Sequence, residues 1–467
     1  MKCDQFERAN ALWSDFRFDE ALSAFERAAQ ADPEDPAPLL LAAKRCFSLG
    51  RFDESARFLS TAIQRDPTNA STRRMLAEVL DRAGRRDEAE VLAREALRQN
   101  PKDARAARAL AHVVRGAGRT AEAAELLRRQ IADHPGPEIW RVNHELALCL
   151  DRLGDYPGAM QALLAAKAQL RPSAQPLMEQ WRRRARRREE FAYALDATTL
   201  RRWHEARPPL KRAIAILAGH PRSGTTLLEQ MLAAHPEVIT TDETAILRSQ
   251  FIESMVMGAA STPDAVKEID EFDASQLAAG REFYFRATEA HLGEPVGNRL
   301  LIEKDPLATY DLGFMLRLLP ESRVIFPLRD PRDVCVSFFF TLVPLNADSA
   351  PALDLASTCV AAALTLKLWR HWREVMPQQW VEVRYEDLVQ TPRAGLSRLT
   401  TALDLPWDER MLAQHELRRS RGVRTPTYQD VTQPLYTRSI GRWRNYARWL
   451  EPHLGPLAPL LRELLYN

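Results

Sequence analysis

An apolar run, Ala213-Ile214-Ala215-Ile216-Leu217-Ala218, opens into Gly219-His220-Pro221-Arg222-Ser223-Gly224-Thr225-Thr226, and Leu227-Leu228-Glu229-Gln230-Met231-Leu232 follows. The first segment reads as a buried parallel strand and the last as a helix. The glycine-bounded turn between them then sits where backbone N–H groups and a helix N-terminus converge on an anion. The Gly-x-x-x-x-Gly spacing is that of a nucleoside-triphosphate loop, but Thr225 stands where that loop has its lysine. The positive charge lies at Arg222 instead. A kinase or ATPase needs the lysine on the outer phosphates and a hydroxyl on magnesium, so the substitution argues against both.

Pro221-Arg222-Ser223-Gly224-Thr225-Thr226 resembles the phosphosulfate-binding loop of sulfotransferases, which use 3′-phosphoadenosine 5′-phosphosulfate (PAPS) as donor. A second element, Arg329-Asp330-Pro331-Arg332-Asp333-Val334-Cys335-Val336-Ser337, follows the strand-like Val324-Ile325-Phe326-Pro327-Leu328 and enters a helix. It resembles the R-x7-S element of the same family, which implies that Arg329 and Ser337 hold the donor's 3′-phosphate. A guanidinium fork and a hydroxyl suit that role. Trp380 to Leu388 resembles the family's third strand and turn, so Tyr385 is expected to approach the adenine. Ser439-Ile440-Gly441-Arg442-Trp443-Arg444-Asn445-Tyr446 resembles the closing nucleotide-contact segment, with Arg442 as its matching basic residue. The likeness covers about residues 211–467 and implies a P-loop-like α/β domain with a mainly parallel sheet, binding ligand at its carboxyl edge.

For the acceptor's proton the resemblance points to a carboxylate. Thr241-Asp242-Glu243-Thr244 is similar to the segment in tyrosylprotein sulfotransferases whose glutamate is the general base, which places that role on Glu243. The alternative is that Glu243 caps a helix. Ile302-Glu303-Lys304-Asp305-Pro306 resembles that family's Lys-Asp-Pro segment, so Lys304, with Arg222, is expected to stabilise the leaving phosphate. The bland reading is a surface lysine paired with Asp305. Thr427 aligns with a family serine near the sulfuryl group, and Ser223, Gly224, Thr225 and Thr226 form the cradle for the 5′-phosphosulfate. His235 is read as closing its helix rather than as a base. Two departures concern the acceptor: Ala245 and Ser249 stand where those enzymes carry arginines for acidic substrate residues, and Arg248 is out of register. A sulfuryl group bears less charge than a phosphoryl group, so no metal is expected.

These elements occupy only the second half of a 467-residue chain. The first part is periodic: Pro33, Pro67, Pro101 and Pro135 are 34 residues apart, as are Gly50, Gly84 and Gly118, with Gly154 slightly late. Glu20, Glu54, Glu88 and Glu122 keep the step, as do the small residues Ala21, Ser55, Ala89 and Ala123, and Ala28, Ala62 and Ala96. That period is the signature of stacked helix pairs. Phe18 to Pro33 and Phe52 to Pro67 resemble tetratricopeptide (TPR) repeats over about residues 5–170. The resemblance implies either a groove that recruits a protein or peptide, or a spacer or dimerisation arm. The expected organisation is an all-α TPR solenoid at 1–170, a basic helical linker at 171–210 and a sulfotransferase domain at 211–467, broken by Pro208 and Pro209.

The linker carries six arginines between Arg182 and Arg188. They surround the whole helix and acids follow at once, so a solvated connecting helix is preferred to a site for an acidic partner or nucleic acid. Lys and Arg total 65 against 63 Asp and Glu, which speaks against a dedicated nucleic-acid binder. No apolar run suits membrane insertion, and Met1 to Trp13 lacks a signal peptide's apolar stretch. Five scattered cysteines fit a reducing compartment, and the chain is read as cytoplasmic. Fused TPR and sulfotransferase domains resemble a bacterial-type group. The leading expectation is thus a PAPS-dependent sulfotransferase acting on a hydroxyl, tyrosine of a protein or peptide included; the rival is a non-catalytic TPR scaffold with a nucleotide-sensing domain.

Overall fold

The computed structural model describes every residue except Met1, 208–211, Ala245, 342–344, 377–379, 415–434 and Asn467, with no side-chain description for 2–4. Described residues through Pro172 form one compact unit and those from Ser173 onward a second.

The first unit is helical: α1 (Lys2–Ser14), α2 (Phe18–Ala31), α3 (Ala37–Ser48), α4 (Phe52–Arg65), α5 (Ala70–Arg82), α6 (Arg86–Gln99), α7 (Ala104–Gly116), α8 (Thr120–Asp133), α9 (Ile139–Arg152) and the start of α10 (Tyr156–Tyr193). The periodic residues explain the stack. Ala21, Ser55, Ala89 and Ala123 are all fully buried, which lets the paired helices approach closely. Gly50, Gly84, Gly118 and Gly154 make the turn inside each pair at φ between 73° and 85°, where a side chain would be strained. In the first pair Phe16 takes the equivalent turn at φ 61°. The periodic glutamates have a partner that the sequence reading overlooked. Arg17, Arg51, Arg85 and Arg119 keep the same step, and each pairs with the glutamate three residues on.

The second unit holds the rest of α10, α11 (Ala197–Glu205) and a five-stranded sheet. Its strands are β1 (Ile214–Leu217), β2 (Val238–Thr240), β3 (Leu300–Lys304), β4 (Arg323–Leu328) and β5 (Trp380–Arg384). All neighbours are parallel, in the order β2-β3-β1-β4-β5. Every residue of β1 and β3 is buried; β1 is accordingly a continuous apolar run, whereas β3 ends in the charged Glu303 and Lys304. Helices α12 (Thr225–Ala233), α13 (Thr262–Asp270), α14 (Ala274–Leu292), α15 (Ala308–Leu318), α16 (Pro331–Phe339), α17 (Leu355–Val375), α18 (Tyr385–Gln390) and α19 (Pro392–Ala402) connect or follow the strands. A ten-residue π-helix, Arg248–Met257, lies between β2 and α13.

The arginine run is not a solvated connector. Arg182, Arg183 and Arg186 are exposed, but Arg188 is buried and Arg184 and Arg187 are half-buried. Arg188 donates to Asp311 at 3.1 Å and Asp348 at 2.9 Å, Arg184 pairs with Glu253, and Arg187 donates to the carbonyls of Val256 and Ala259. Positions 184, 187 and 188 share one helical face, and that face packs into the second unit.

Candidate active site

The loop after β1 is shaped by close approaches. Thr309 of α15 accepts a hydrogen bond from the Gly219 N–H (3.0 Å) and returns one to its carbonyl (2.8 Å). A Cβ on Gly219 would meet the Ser223 hydroxyl at 2.8 Å. Arg222 and Gly224 both turn left-handed, at φ 79° and 105°, and α12 begins immediately afterwards. The first N–H groups of a helix have no partner within it, so this turn presents them to an anion. Gly224 also lies against Tyr385 at the end of β5, where an added Cβ would come within 2.6 Å of the ring.

Beside the loop is a charged group. Lys304, the last residue of β3, is fully buried and its Nζ pairs with Glu243. The same nitrogen donates to the Thr226 hydroxyl at 3.4 Å and lies 3.6 Å from Glu229, itself fully buried on α12. Burial disfavours the ammonium, but Glu243 and Glu229 outweigh it and hold the Lys304 pKa above its ordinary value. Glu243 keeps a 39% exposed side chain, so it reaches solvent while holding a buried cation. Asp242 and Glu243 both take positive φ, 50° and 62°, a strained turn of the kind that clusters at functional sites. Glu229 accepts from the Asp242 N–H at 3.1 Å and so helps to hold that turn. On the other face of β3, Glu303 accepts a hydrogen bond from Tyr284 at 2.5 Å, and burial pushes its carboxyl up to about 7.

On the opposite side of β1, Arg329 leaves the end of β4 and lies 4.5 Å over the Tyr385 ring. It donates to the carbonyls of Arg222 (2.9 Å) and Ser439 (2.7 Å). Arg222 in turn donates from Nε to the Ser337 hydroxyl at 3.0 Å, which joins the loop to α16. Asp333 accepts from the N–H groups of Gly441 and Trp443, fastening the closing segment to the same helix. Arg442 packs over Phe340 and Tyr446.

The structure therefore brings Arg222, Ser223, Gly224, Thr225, Thr226, Glu243 and Lys304 to one end of the sheet, with Arg329, Ser337 and Tyr385 tied to the same loop. Arg442 sits one segment away, against the aromatic residues at the end of α16. Thr427 lies outside the described residues, as does Ala245. Lys304 is not the surface lysine of the bland reading: Asp305 pairs with Arg248 instead. Glu243 meets Lys304. His235 is structural, bonded to the Pro406 carbonyl and the Glu237 N–H. Glu229 was missed, although a buried-helix acid three residues after Thr226, just past the anion loop, was a signal.

The arrangement fits a polyanion. The Ser223 hydroxyl, Arg329 Nε and Trp443 indole N–H are buried without a hydrogen-bond partner among the described residues. Buried donors left unpaired are costly, so a ligand able to accept from them is favoured. Among the described residues no group of three metal-type ligands occurs, and no helix is long and apolar enough to cross a membrane.

Comparison with known proteins decides the family. A model described as the sulfotransferase family matches residues 213–409, and tetratricopeptide-repeat models match 12–63, 47–113 and 109–174. A putative protein-tyrosine sulfotransferase of Caenorhabditis briggsae is 31% identical over 209 residues, 44% of this chain and 70% of that protein. The chain belongs to the sulfotransferase family. Protein-tyrosine sulfotransferase 1 of Danio rerio is 27% identical over 54% of this chain and 72% of its own length. A protein of Aquifex aeolicus described only as uncharacterized is 25% identical over 68% of this chain. This sulfotransferase spans 41% of that relative's length. Arg188 precedes the matched segment and Arg442 follows it.

Proposed function

We propose that this sulfotransferase moves a sulfuryl group from PAPS to an acceptor hydroxyl, in the cytoplasm, and that its TPR array recruits the acceptor, a protein or peptide whose tyrosine is the leading candidate. When bound, PAPS supplies the activated sulfuryl group and a phosphate leaving group. The observation that carries the reading is the meeting of Lys304 with Glu243 on one side and with Thr226 of the anion loop on the other. Base and cation are thereby held at the loop that would cradle the 5′-phosphosulfate, as transfer with prepaid orientation requires. Glu243 takes the acceptor proton, since it is the carboxylate at this cluster that reaches solvent. Lys304 and Arg222 set positive charge where the leaving phosphate develops negative charge. Arg329 and Ser337 select the 3′-phosphate, Tyr385 supports the adenine side, and Arg442 adds a basic contact.

The reading is tested by calorimetric titration of the purified chain, without magnesium, with 3′-phosphoadenosine 5′-phosphate (PAP) against ADP, which lacks the 3′-phosphate. Tight binding of PAP with weak binding of ADP supports it, and Arg329→Ala should weaken PAP alone. Equal or absent binding of the two nucleotides overturns it.

A further inference from the structure

Sulfuryl transfer leaves a cluster of buried charge next to the end of β3 without a role. Arg248, first residue of the π-helix, pairs with Asp305 through Nη2 and lies 3.8 Å from Asp311 and 3.5 Å from Asp348. Arg188 of α10 donates to those last two carboxylates from Nε and Nη1. The side chains of Arg188, Arg248, Asp305, Asp311 and Asp348 are at most 18% exposed. Buried ion pairs of this kind are weak contributors to stability, because desolvation offsets much of their attraction. Their arrangement indicates what else they do.

Asp305 follows Lys304 directly. One of its oxygens accepts from the Leu307 N–H at 2.8 Å and the other takes Arg248, so the end of β3 is gripped from two sides. Arg248 also lies five residues after Glu243, with the strained left-handed turn at Asp242 and Glu243 between β2 and the π-helix. Lys304 pairs with Glu243, so this guanidinium is linked through the strand end to the proposed cation and, by way of it, to the proposed base. We propose that Arg248 is a positioning residue for sulfuryl transfer: through Asp305 it fixes the strand end bearing Lys304, and Lys304 in turn keeps Glu243 in place. Arg188, by holding Asp311 and Asp348, leaves Arg248 a single arrangement. The inference rests on the sulfuryl-transfer reading and adds to it a residue that touches neither donor nor acceptor.

The test uses the full chain carrying Arg248→Met or Arg248→Lys. PAP affinity is measured by calorimetry, and PAP formation from PAPS is followed with two acceptor probes, a tyrosine-containing acidic peptide and phenol. Misplacing reacting groups by an ångström costs up to about 100-fold, so kcat should fall about 30-fold in Arg248→Met while PAP affinity and the KM for PAPS stay within about threefold. Arg248→Lys, which keeps the charge but not the fork, should recover part of the loss. A kcat within about threefold of wild type in Arg248→Met overturns the proposal. So does a parallel loss of kcat and PAP affinity in both variants, since Arg248 would then only hold the fold together. Should Arg248→Met not fold, the kcat-against-KM split in Arg248→Lys decides. A wild-type chain that neither binds nor forms PAP instead overturns the sulfuryl-transfer reading, an outcome separable from either variant result.

Discussion

Gly224→Ala probes the loop most sharply, because the structure separates its two costs. At φ 105° an alanine carries the left-handed penalty of about 1–2 kcal/mol. Its Cβ would also lie 2.6 Å from Tyr385, a buried ring with Arg329 4.5 Å above it. Overpacking of that kind costs about 1–3 kcal/mol, for a sum of about 2–5 kcal/mol. If half is relieved by the loop leaving its binding shape, PAP affinity falls about 5- to 60-fold, since 1.4 kcal/mol is a factor of ten. Gly293 is the control: its φ is 71° and nothing lies within 4 Å of an added Cβ. Gly293→Ala should lower the melting temperature through the backbone term alone and leave PAP affinity unchanged. The assay is calorimetric titration of PAP into both variants beside thermal melts. Wild-type affinity in Gly224→Ala, with a melting temperature no lower than that of Gly293→Ala, would refute the argument that Gly224 is required by the Tyr385 contact.

Glu243→Gln should leave PAP affinity intact and lower turnover by about 100- to 10,000-fold, as loss of a general base does; steady-state assays showing unchanged turnover remove Glu243 from the mechanism. Two buried groups give pH signatures of opposite sign. Burial pushes the His220 imidazole down to about 4, so the unfolded chain binds more protons and His220 costs stability as pH falls from its unfolded value of 6.5 to 4. Glu303 is pushed up to about 7 from 4.5, so its contribution is full at the lower value and is lost as pH rises to 7. Urea melts across that range should show Glu303→Gln gaining stability relative to wild type as pH rises, and no relative gain would refute the assignment. A chain beginning at Lys211 lacks Arg188 and leaves Asp311 and Asp348 short of a buried partner, a loss of about 3–5 kcal/mol. It should yield less folded protein than one beginning at Ser173, and equal yields and melting temperatures would contradict this.

The repeats were legible because four residue classes kept one register, and each class meets a local need: a tight turn, close helix packing, or a partner three residues away. β1 and β4 were legible because burial makes them apolar runs, whereas the part-buried β5 came with the family likeness and β2 and β3 were not read as strands. Arg222 and the loop glycines could be read from the local pattern of strand, turn and helix. Glu243 and Lys304 came from family likeness, since they lie 61 residues apart and their meeting depends on the parallel pairing of β2 and β3. Arg188 was misread for a related reason. Every arginine in its run looks alike in sequence, and its carboxylate partners lie 123 and 160 residues further on. Local spacing shows which helical face a residue occupies, but not what that face will meet.

The strand order has a consequence for how such a protein can change. Reading across the sheet, β2 and β3 bear the proposed base and cation, β1 bears the anion loop, and β4 and β5 bear Arg329 and Tyr385. On the proposed reading the base lies on one flank and the residues for the 3′-phosphate and adenine on the other, with Lys304 and the anion loop between them. On that reading, insertions or exchanges after β2 can remodel what is sulfated without disturbing the proposed contacts to the nucleotide. A lineage, or an engineer, can vary one flank while the other keeps its affinity for the same donor, so acceptor preference is free to diverge faster than donor preference.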